Sequence, residues 1–279
     1  MFRCAITLTV ALLAGVATAS AQRPLDRGNY LMNSIVACGN CHTPQTPQGP
    51  AQGKELAGGT KFDEGGPFVS YASNITPDPE TGIGKWTDRE LIIAIREGKR
   101  PDGTTIGPPM PIPLYRSLSD EDVHAIVAYI RSVPPVVNKV PKSEYRIPLP
   151  PAYGPPIAAM VPTPPRTDKV AYGAYLAGPL GHCIECHSTP GPNGAPDFVN
   201  NLGAGGMNFH GPWGTSVARN ITPTGIGNWS DADIRRAITA GVRPDGERLK
   251  PPMAYGYYKN ILPEDLDAIV AYLRTLKPK

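Results

Sequence analysis

The chain has 279 residues, enough for two modest folding units, and 41% of them are hydrophobic, so it is not a disordered sequence. Its formal net charge is only +3, and no basic stripe with interleaved aromatic residues runs through it, which excludes an ordinary nucleic-acid-binding protein. The 34 prolines and 30 glycines predict many turns and long loops.

Residues 1–21 predict a cleavable export signal. Arg3 supplies a short positive region, Ala5 to Val16 is apolar, and Ala19 to Ala21 provides small residues for cleavage. The apolar stretch is shorter than the roughly 20 residues that span a bilayer. We therefore expect cleavage after Ala21, a periplasmic protein, and no transmembrane segment in the mature chain.

A helix is predicted to begin near Leu25 and to continue into the segment ACGNCHTP at 37–44. Its apolar residues recur at helical spacing and would form one face: Tyr30, Leu31, Ile35 and Val36. Gly28 lies on this helix, where the absence of a side chain would let the last helix of the domain approach closely near Tyr129.

Two more helices are predicted before residue 133. The capping box at 87–90 opens one of them and Gly98 closes it. Ser119 caps the next, which runs through Arg131 with acidic residues at its start, as the helix dipole favours. No clear strand is predicted anywhere in the chain.

A proline-dense segment at 134–167 predicts a linker. It has no helical period and favours extended backbone that acts as a semi-rigid spacer. Its interspersed apolar side chains favour a strap packed over the domains rather than a loose tether: Tyr145, Ile147, Tyr153 and Met160.

Residues 168–279 repeat residues 22–133. The segments Gly28–Leu31 and Gly173–Leu176 lie 145 positions apart, and Ala125–Tyr129 and Ala268–Tyr272 lie 143 apart. Several further segments match at offsets of 143 to 146. We therefore predict a signal peptide at 1–21, a first domain at 22–133, the linker at 134–167 and a second domain at 168–279.

Each repeat contains one Cys-x-x-Cys-His motif, the first in ACGNCHTP and the second in HCIECHSTP at 182–190. A zinc site would need four ligands brought together from separate repeats. A dithiol redox pair would need a βαβ setting, which the sequence lacks. The histidine that follows each cysteine pair is typical of covalent haem c attachment.

The spacing suits that chemistry. Residues three apart share a helical face, so that Cys38 and Cys41 can form thioethers with the two vinyl groups of one porphyrin, and His42 can ligate its iron. The second motif assigns the same roles to three further residues: Cys183, Cys186 and His187. Two covalently bound haem c groups are therefore predicted.

Met110 and Met253 are the predicted sixth ligands of the two irons. They occupy equivalent places in the repeat, each at the end of a Pro-Pro-Met loop that proline stiffens. Thioether sulfur is a ligand that haem iron accepts and that raises its reduction potential. The alternative is that each methionine fills a gap in the core. Met32, Met160 and Met207 have no counterpart in the other repeat.

The remaining histidines have no histidine counterpart. We expect His124 on a helix surface, and His210 either on a surface loop or as a rival ligand. Tuning of the haem is an alternative for His182, which directly precedes Cys183, but it is not the favoured one. Six other repeated residues could either contact the porphyrins or stabilise the loops, and the sequence does not distinguish these roles: Asn74, Trp86, Arg100, Asn220, Trp229 and Arg243. Arg219, where the first repeat has Ser73, would make the two haem environments differ.

Three runs carry a family resemblance: ITPDPETGIGKWTDRELIIAIREGKRPDG, then PPMP, then LSDEDVHAIVAYIRSVPPV. They resemble the cytochrome c subunits of bacterial membrane-associated dehydrogenases that oxidise alcohols, aldehydes or sugar acids such as gluconate. The resemblance covers nearly all of the mature chain. It implies a mainly α fold of two tandem class I cytochrome c domains, with long Gly/Pro-rich loops, a proline-rich linker and His/Met haems.

The resemblance also implies electron transfer, from a dehydrogenase donor to a cytochrome or oxidase of the respiratory chain, without catalysis by this chain itself. Many such subunits carry three haem domains, whereas this chain has two and ends at Lys279, just after the last helix. We therefore expect a periplasmic di-haem carrier, soluble or held at the membrane by a partner. The alternative is a di-haem peroxidase or thiosulfate-oxidising cytochrome with one open haem.

Overall fold

A computed structural model describes residues 23–46, 49–63, 66–192, 194–211 and 213–279. The predicted signal peptide at 1–21 lies outside these residues. In the first repeat the helices are α1 (23–33), α2 (Gly39–His42), α3 (Asp88–Glu97), α4 (Ile112–Tyr115) and α5 (Asp120–Ser132). In the second they are α6 (Lys169–Tyr175), α7 (Cys183–Cys186), α8 (Pro223–Ile226), α9 (Asp231–Ala240), α10 (Tyr255–Tyr258) and α11 (Pro263–Thr275).

The helix boundaries follow the capping residues of the sequence. Thr87 and Glu90 form the capping box of α3, and Gly98 ends that helix in the left-handed conformation. Ser230 and Gly241 do the same for α9. These local signals are independent of packing, so sequence and structure agree on them in both repeats.

The first helix is shorter than predicted. α1 ends at residue 33, and α2 is a separate turn, because Ala37 between them has a left-handed φ of 50°. His182, at the corresponding position of the second repeat, has a φ of 39°. A left-handed residue cannot continue an α-helix, so each Cys-x-x-Cys-His motif begins its own short helical turn.

Gly28 and Gly173 let two helices cross at backbone contact, as predicted. A Cβ on Gly28 would overlap the carbonyl of Ala125 on α5 and lie 2.9 Å from the Tyr129 Cβ. A Cβ on Gly173 would meet Ala268 in the same way. The glycines therefore fix how closely the first and last helices of each domain pack.

The prediction that the chain has no strands is wrong. Each repeat has a small antiparallel hairpin, formed by β3 (Lys61–Asp63) with β4 (Phe68–Tyr71) and by β6 (Asn208–Gly211) with β7 (Gly214–Val217). A third, shorter pair joins β1 (Gln45–Thr46) to β2 (Gly49–Pro50). These strands have two to four residues, too few for alternating polarity to be recognised in the sequence.

The linker packs along the first domain. Its strand β5 (Glu144–Tyr145) adds to β4, with Tyr145 opposite Phe68. Tyr153 donates a hydrogen bond to the Ile106 carbonyl at 2.8 Å. Met160, in contrast, is 79% exposed and does not take the packed position expected of it.

Two equivalent hydrogen bonds join the domains. Tyr30 donates to the carboxylate of Asp265, and Tyr175 donates to that of Asp122, each at 2.7 Å. Because the two tyrosines are repeat counterparts, as are the two fully buried aspartates, the interface is self-complementary, like that of a two-fold dimer. One apolar core spans both domains.

Candidate functional site

The first Cys-x-x-Cys-His motif forms a compact turn beside a backbone carbonyl. Cys38 caps α2, Cys41 lies within it, and His42 ends it. The His42 ring places Nδ1 2.8 Å from the carbonyl oxygen of Ser73. Because a carbonyl only accepts, Nδ1 carries the proton, and the other ring nitrogen, Nε2, is left as a metal ligand.

The second motif repeats this arrangement. Cys183 and Cys186 bound α7, and His187 follows directly. His187 Nδ1 lies 2.7 Å from the carbonyl oxygen of Arg219, the counterpart of Ser73. The orienting group is a backbone carbonyl in both repeats, so the change from serine to arginine leaves the imidazole geometry intact.

The cysteine pairs do not have the thiol pKa values of a redox-active dithiol. All four described cysteines are free of disulfide bonds. Burial raises the pKa of Cys38 to about 12 and that of Cys183 to about 11, whereas a redox-active cysteine has a lowered pKa. No cluster of three or more His, Cys, Asp or Glu side chains arranged to hold a metal ion lies among the described residues.

Met253 lies in the same cavity as the second motif. Cys183, His187 and Met253 all line this cavity, which is partly open to solvent. The rest of its lining is apolar apart from the phenol of Tyr258: Ile35, Ile221, Ile238, Ile261, Ile269 and Leu273. An apolar cavity with an imidazole and a thioether sulfur fits the donor set of a His/Met haem.

Met110 is partly buried against the core, as is Cys38 of the first motif. The Pro108–Pro109 and Pro251–Pro252 peptide bonds that precede the two predicted methionine ligands are both cis. Met110 and Met253 each lie two residues before a short helix, α4 and α10 respectively, so the two methionines occupy corresponding places in their domains.

The rival ligands lie elsewhere. Met32 is buried in the core and Met160 is exposed. His124 lies on the exposed side of α5, as predicted, with its Nδ1 2.6 Å from the Asp120 carbonyl oxygen. His210 lies exposed on β6, with Nδ1 3.0 Å from Thr215 Oγ1.

Asn74 and Asn220 hydrogen-bond to neighbouring loop residues and to backbone carbonyls elsewhere in the protein. Asn74 binds Thr76 and the carbonyl of Val136, and Asn220 binds Thr222 and the carbonyl of Lys279. Both of their polar groups are therefore engaged within the protein, and loop architecture is the better interpretation of this pair.

The two tryptophans and two arginines also make contacts within their own domains. Trp86 and Trp229 pack on the core, and their carbonyls accept from Arg131 and Arg274. Arg100 binds the Thr105 carbonyl, whereas Arg243 pairs with Asp245 and Glu247 and keeps a buried, unpartnered Nε.

Residues between the two motifs were not identified from the sequence. Tyr115 and Tyr258 are repeat counterparts, both buried, and burial raises the pKa of each well above its ordinary value. Thiols of both motifs contribute to the Tyr258 shift, including Cys41 of the other domain. Asn40 of the first motif donates to the Pro252 carbonyl of the second domain at 3.4 Å, and His182, directly before the second motif, contacts Tyr115 of the first domain. Both motifs therefore lie at the domain interface.

Glu185 and His182 lie in this same region. Burial raises the pKa of Glu185 to about 8 and lowers that of His182 to about 4. Their side chains are 3.6 Å apart, and the His182 ring packs edge-on against Tyr115 of the first domain, with centroids 6.1 Å apart. The repeat could have drawn attention to Tyr115 and Tyr258, but only the fold shows the contacts between domains.

Comparison with known proteins gives a consistent family. The family model for cytochrome c matches residues 25–134 and again residues 170–277. A fructose dehydrogenase cytochrome subunit of Gluconobacter japonicus is 35% identical over 97% of this chain and 58% of its own length. The cytochrome c subunit of a quinone-dependent alcohol dehydrogenase of Gluconobacter oxydans is 32% identical over 90% of this chain and 54% of its own length.

This chain thus spans little more than half the length of those two relatives. A diheme cytochrome c-type protein of Cereibacter sphaeroides is 30% identical over 96% of this chain and 95% of its own length. These relatives favour an electron-transfer protein over the peroxidase or thiosulfate-oxidising alternative. The chain belongs to the cytochrome c family of electron-transfer proteins, and its two tandem cytochrome c domains carry two covalently bound haem c groups.

Proposed function

We propose that this chain is a periplasmic di-haem cytochrome c that passes electrons from a dehydrogenase subunit to an acceptor of the respiratory chain. The observation that carries the proposal is the pairing, in one apolar cavity, of His187 with Met253. The first domain repeats the carbonyl contact that orients the histidine and has a Pro-Pro-Met loop at the equivalent place in its sequence. When bound, each haem supplies a one-electron iron couple.

The geometry supports the following residue roles. Cys38 and Cys41 would hold one porphyrin through thioethers, and Cys183 and Cys186 would hold the other. His42 and His187 would each ligate iron through Nε2, because their Nδ1 atoms are held by backbone carbonyls. Met110 and Met253 would be the sixth ligands, each in a class I cytochrome c domain.

The domain interface suits electron exchange between the two sites. The buried rings of Tyr115 and Tyr258 lie at this interface, beside the partly exposed Glu185. The Tyr30–Asp265 and Tyr175–Asp122 hydrogen bonds fix the two domains relative to each other. A fixed spacing is what transfer between two cofactors needs.

The proposed electron donor and the proposed periplasmic location are supported by observations other than the site geometry. Relatives named as cytochrome subunits of fructose and alcohol dehydrogenases support a dehydrogenase donor. The predicted export signal supports a periplasmic location, and no helix among the described residues is long and apolar enough to cross a membrane.

The ligand assignment is tested by replacing one methionine at a time. Met110→Ala and Met253→Ala should each remove half of the near-infrared methionine–iron band of the ferric protein and lower one of the two midpoint potentials. Met160→Ala is the matched control, since Met160 is 79% exposed and should leave both potentials unchanged. An unaltered spectrum in both ligand variants would refute the assignment.

The donor and the compartment are tested separately. Stopped-flow mixing of the oxidised protein with a flavin- or quinone-dependent dehydrogenase and its substrate should reduce both haems within the enzyme's turnover time. Amino-terminal sequencing of the exported protein should begin at Gln22. Reduction no faster than by substrate alone, or a retained Met1, would contradict the corresponding part of the proposal.

A further inference from the structure

The two hairpins have the same register but different neighbours. Lys61 faces Tyr71 in the first domain, and Asn208 faces Val217 in the second, so β6–β7 is the counterpart of β3–β4. In the first domain the linker strand β5 pairs with the outer edge of β4. No strand in the described part of the chain pairs with the corresponding edge of β7.

The open edge of β7 presents backbone hydrogen-bonding groups. Ala218 donates its N–H to the facing strand, so by alternation the N–H groups of Thr215 and Val217 point to the other, open side. In β4 the counterpart of Val217 is Tyr71, whose outward N–H binds Ser143 of the linker at 3.0 Å. An unpaired edge of this kind is a template for another extended segment.

The open edge cannot receive a copy of the linker's own contact. In the first domain the Tyr145 ring lies against Gly107, where a Cβ would lie 2.6 Å from the ring. Lys250 stands at the position of Gly107 in the second domain. By the equivalence of the repeats, the Lys250 side chain projects toward the space that the Tyr145 ring takes in the first domain, so an incoming segment would meet an ammonium group instead of a bare backbone.

Three basic residues lie in the chain segments next to the open edge. Arg219 follows β7 by two residues, and Lys250, with Arg248 two residues before it, directly precedes Pro251, whose carbonyl accepts from Ser216 of β7. Arg219, Arg248 and Lys250 are all exposed, and none has a carboxylate within ion-pair distance in the described part of the chain. The nearest acidic side chains along the chain already pair with Arg243. The counterparts of the three basic residues in the first domain are uncharged: Ser73, Thr105 and Gly107.

Apolar side chains flank the same edge. Trp213, at the start of β7, is 36% exposed, and its ring lies over Gly211. Val217, at the other end of the strand, is 57% exposed. An exposed tryptophan beside unpaired strand groups and free cations has the composition of a protein-binding surface.

We propose that the open edge of β7, with Arg219, Arg248 and Lys250 beside it, docks an extended acidic segment of a partner protein. The segment would add to the hairpin as β5 adds to β4, with carboxylates facing the cations. The linker of a second copy is a poor occupant, because residues 134–167 contain four basic and only one acidic side chain.

Two hydrogen bonds connect this surface to the second haem site. The carbonyl of Arg219 holds His187, and Ser216 Oγ donates at 2.7 Å to the carbonyl of Pro251, two residues before Met253. That the docked protein exchanges electrons rests on the proposed function, whereas the docking itself does not.

Two peptides serve as probes. One has the linker sequence of residues 139–150, and the other has the same sequence with Lys139, Lys142, Tyr145 and Arg146 changed to glutamate. Amide chemical shifts and amide exchange are measured on the full holo-protein labelled with nitrogen-15. The acidic peptide should shift the Thr215 and Val217 amides, slow their exchange, and bind at least tenfold more tightly at low salt than the linker peptide does.

Three variants sharpen the test. Thr215→Pro removes an outward N–H and should abolish the acidic peptide's effect, whereas Thr215→Val keeps the N–H and should retain it. The double variant Arg248→Glu with Lys250→Glu should weaken binding roughly tenfold or more. Lys54→Glu, at an exposed position of the first domain, is the charge control and should change nothing. Unchanged haem spectra and melting temperatures show that each variant is folded.

The experiment distinguishes failure of the docking proposal from failure of the proposed function. Equal binding of both peptides, no effect at Thr215 and Val217 up to millimolar peptide, or self-association through β7 detected by sedimentation would overturn the docking proposal. Binding of the acidic peptide by a protein that no dehydrogenase reduces would keep the docking surface and contradict the proposed function instead.

Discussion

The two domains hold their haem motifs in the same way but differ in what covers them. His42 and His187 are oriented by backbone carbonyls, which survive the change of Ser73 to Arg219. Around these repeated contacts the linker covers the first domain, whereas no strand in the described part of the chain pairs with the hairpin edge of the second. The comparison teaches that backbone contacts keep the histidine geometry the same in both domains, while the side chains around it are free to differ between the repeats.

The largest expected effect comes from removing one cysteine pair, which should make the two domains differ in haem content. The double variant Cys38→Ala with Cys41→Ala, and its counterpart at Cys183 and Cys186, should each lower the covalently bound haem from two to one per chain, because each motif serves only its own domain. Alkaline pyridine spectra with protein quantification measure this. Loss of both haems from either variant would show that the domains do not load independently.

The next effect concerns the helix crossings. Gly28→Ala and Gly173→Ala should each lower the free energy of unfolding by about 3 kcal/mol, since the new methyl group overlaps a backbone carbonyl that cannot move away easily. Gly256→Ala is the control, because open space surrounds Gly256 on a helix. Denaturant titration of the holo-protein compares the three, and a cost for Gly28→Ala no larger than that for Gly256→Ala would contradict the close crossing.

His182 should make the second domain more acid-sensitive than the first, which has Ala37 at that position. Burial lowers the His182 pKa to about 4, below its ordinary 6.5. The unfolded chain therefore binds the proton first, and stability is lost as the pH falls from about 6.5 to about 4. His182→Ala should recover up to about 3 kcal/mol at the acid end of this window.

Melting curves of the wild type and of His182→Ala between pH 4 and pH 7.5 measure the difference. The variant should gain stability relative to the wild type only below about pH 6.5. Parallel curves over the whole range would mean that the buried imidazole carries no such cost.

The smallest expected effect distinguishes the two repeat-related hydrogen bonds of the domain interface. Tyr30→Phe and Tyr175→Phe each remove one hydrogen bond to a buried aspartate, and also the phenol oxygen that accepts from the N–H of Leu262 or of Ser119. Each such bond contributes about 1 kcal/mol. Ser119 is fully buried, whereas Leu262 is exposed and its N–H can bind water instead. Tyr175→Phe should therefore cost more. Equal costs, measured by denaturant titration, would show that the buried Ser119 N–H finds another partner.

Much of this molecule could be predicted from its sequence because its signals are local and occur twice. The capping residues Thr87 and Ser230, the glycines at the helix crossings and the two haem motifs need no knowledge of the tertiary fold. The left-handed Ala37 and His182 could not be foreseen, because neither is a glycine and their conformation is imposed by packing. The Tyr30–Asp265 contact could not be foreseen either, since 235 residues separate its partners.

The measurement that tests the central claim most directly is the absorption spectrum of the holo-protein, ferric and then reduced, with and without carbon monoxide, with haem quantified per chain in the same sample. If each domain closes its iron with histidine and methionine, the protein contains two haems, shows the near-infrared methionine–iron band and binds no carbon monoxide. Carbon monoxide binding to one haem of the folded protein would contradict this, because it would show that one of the two domains has an open iron.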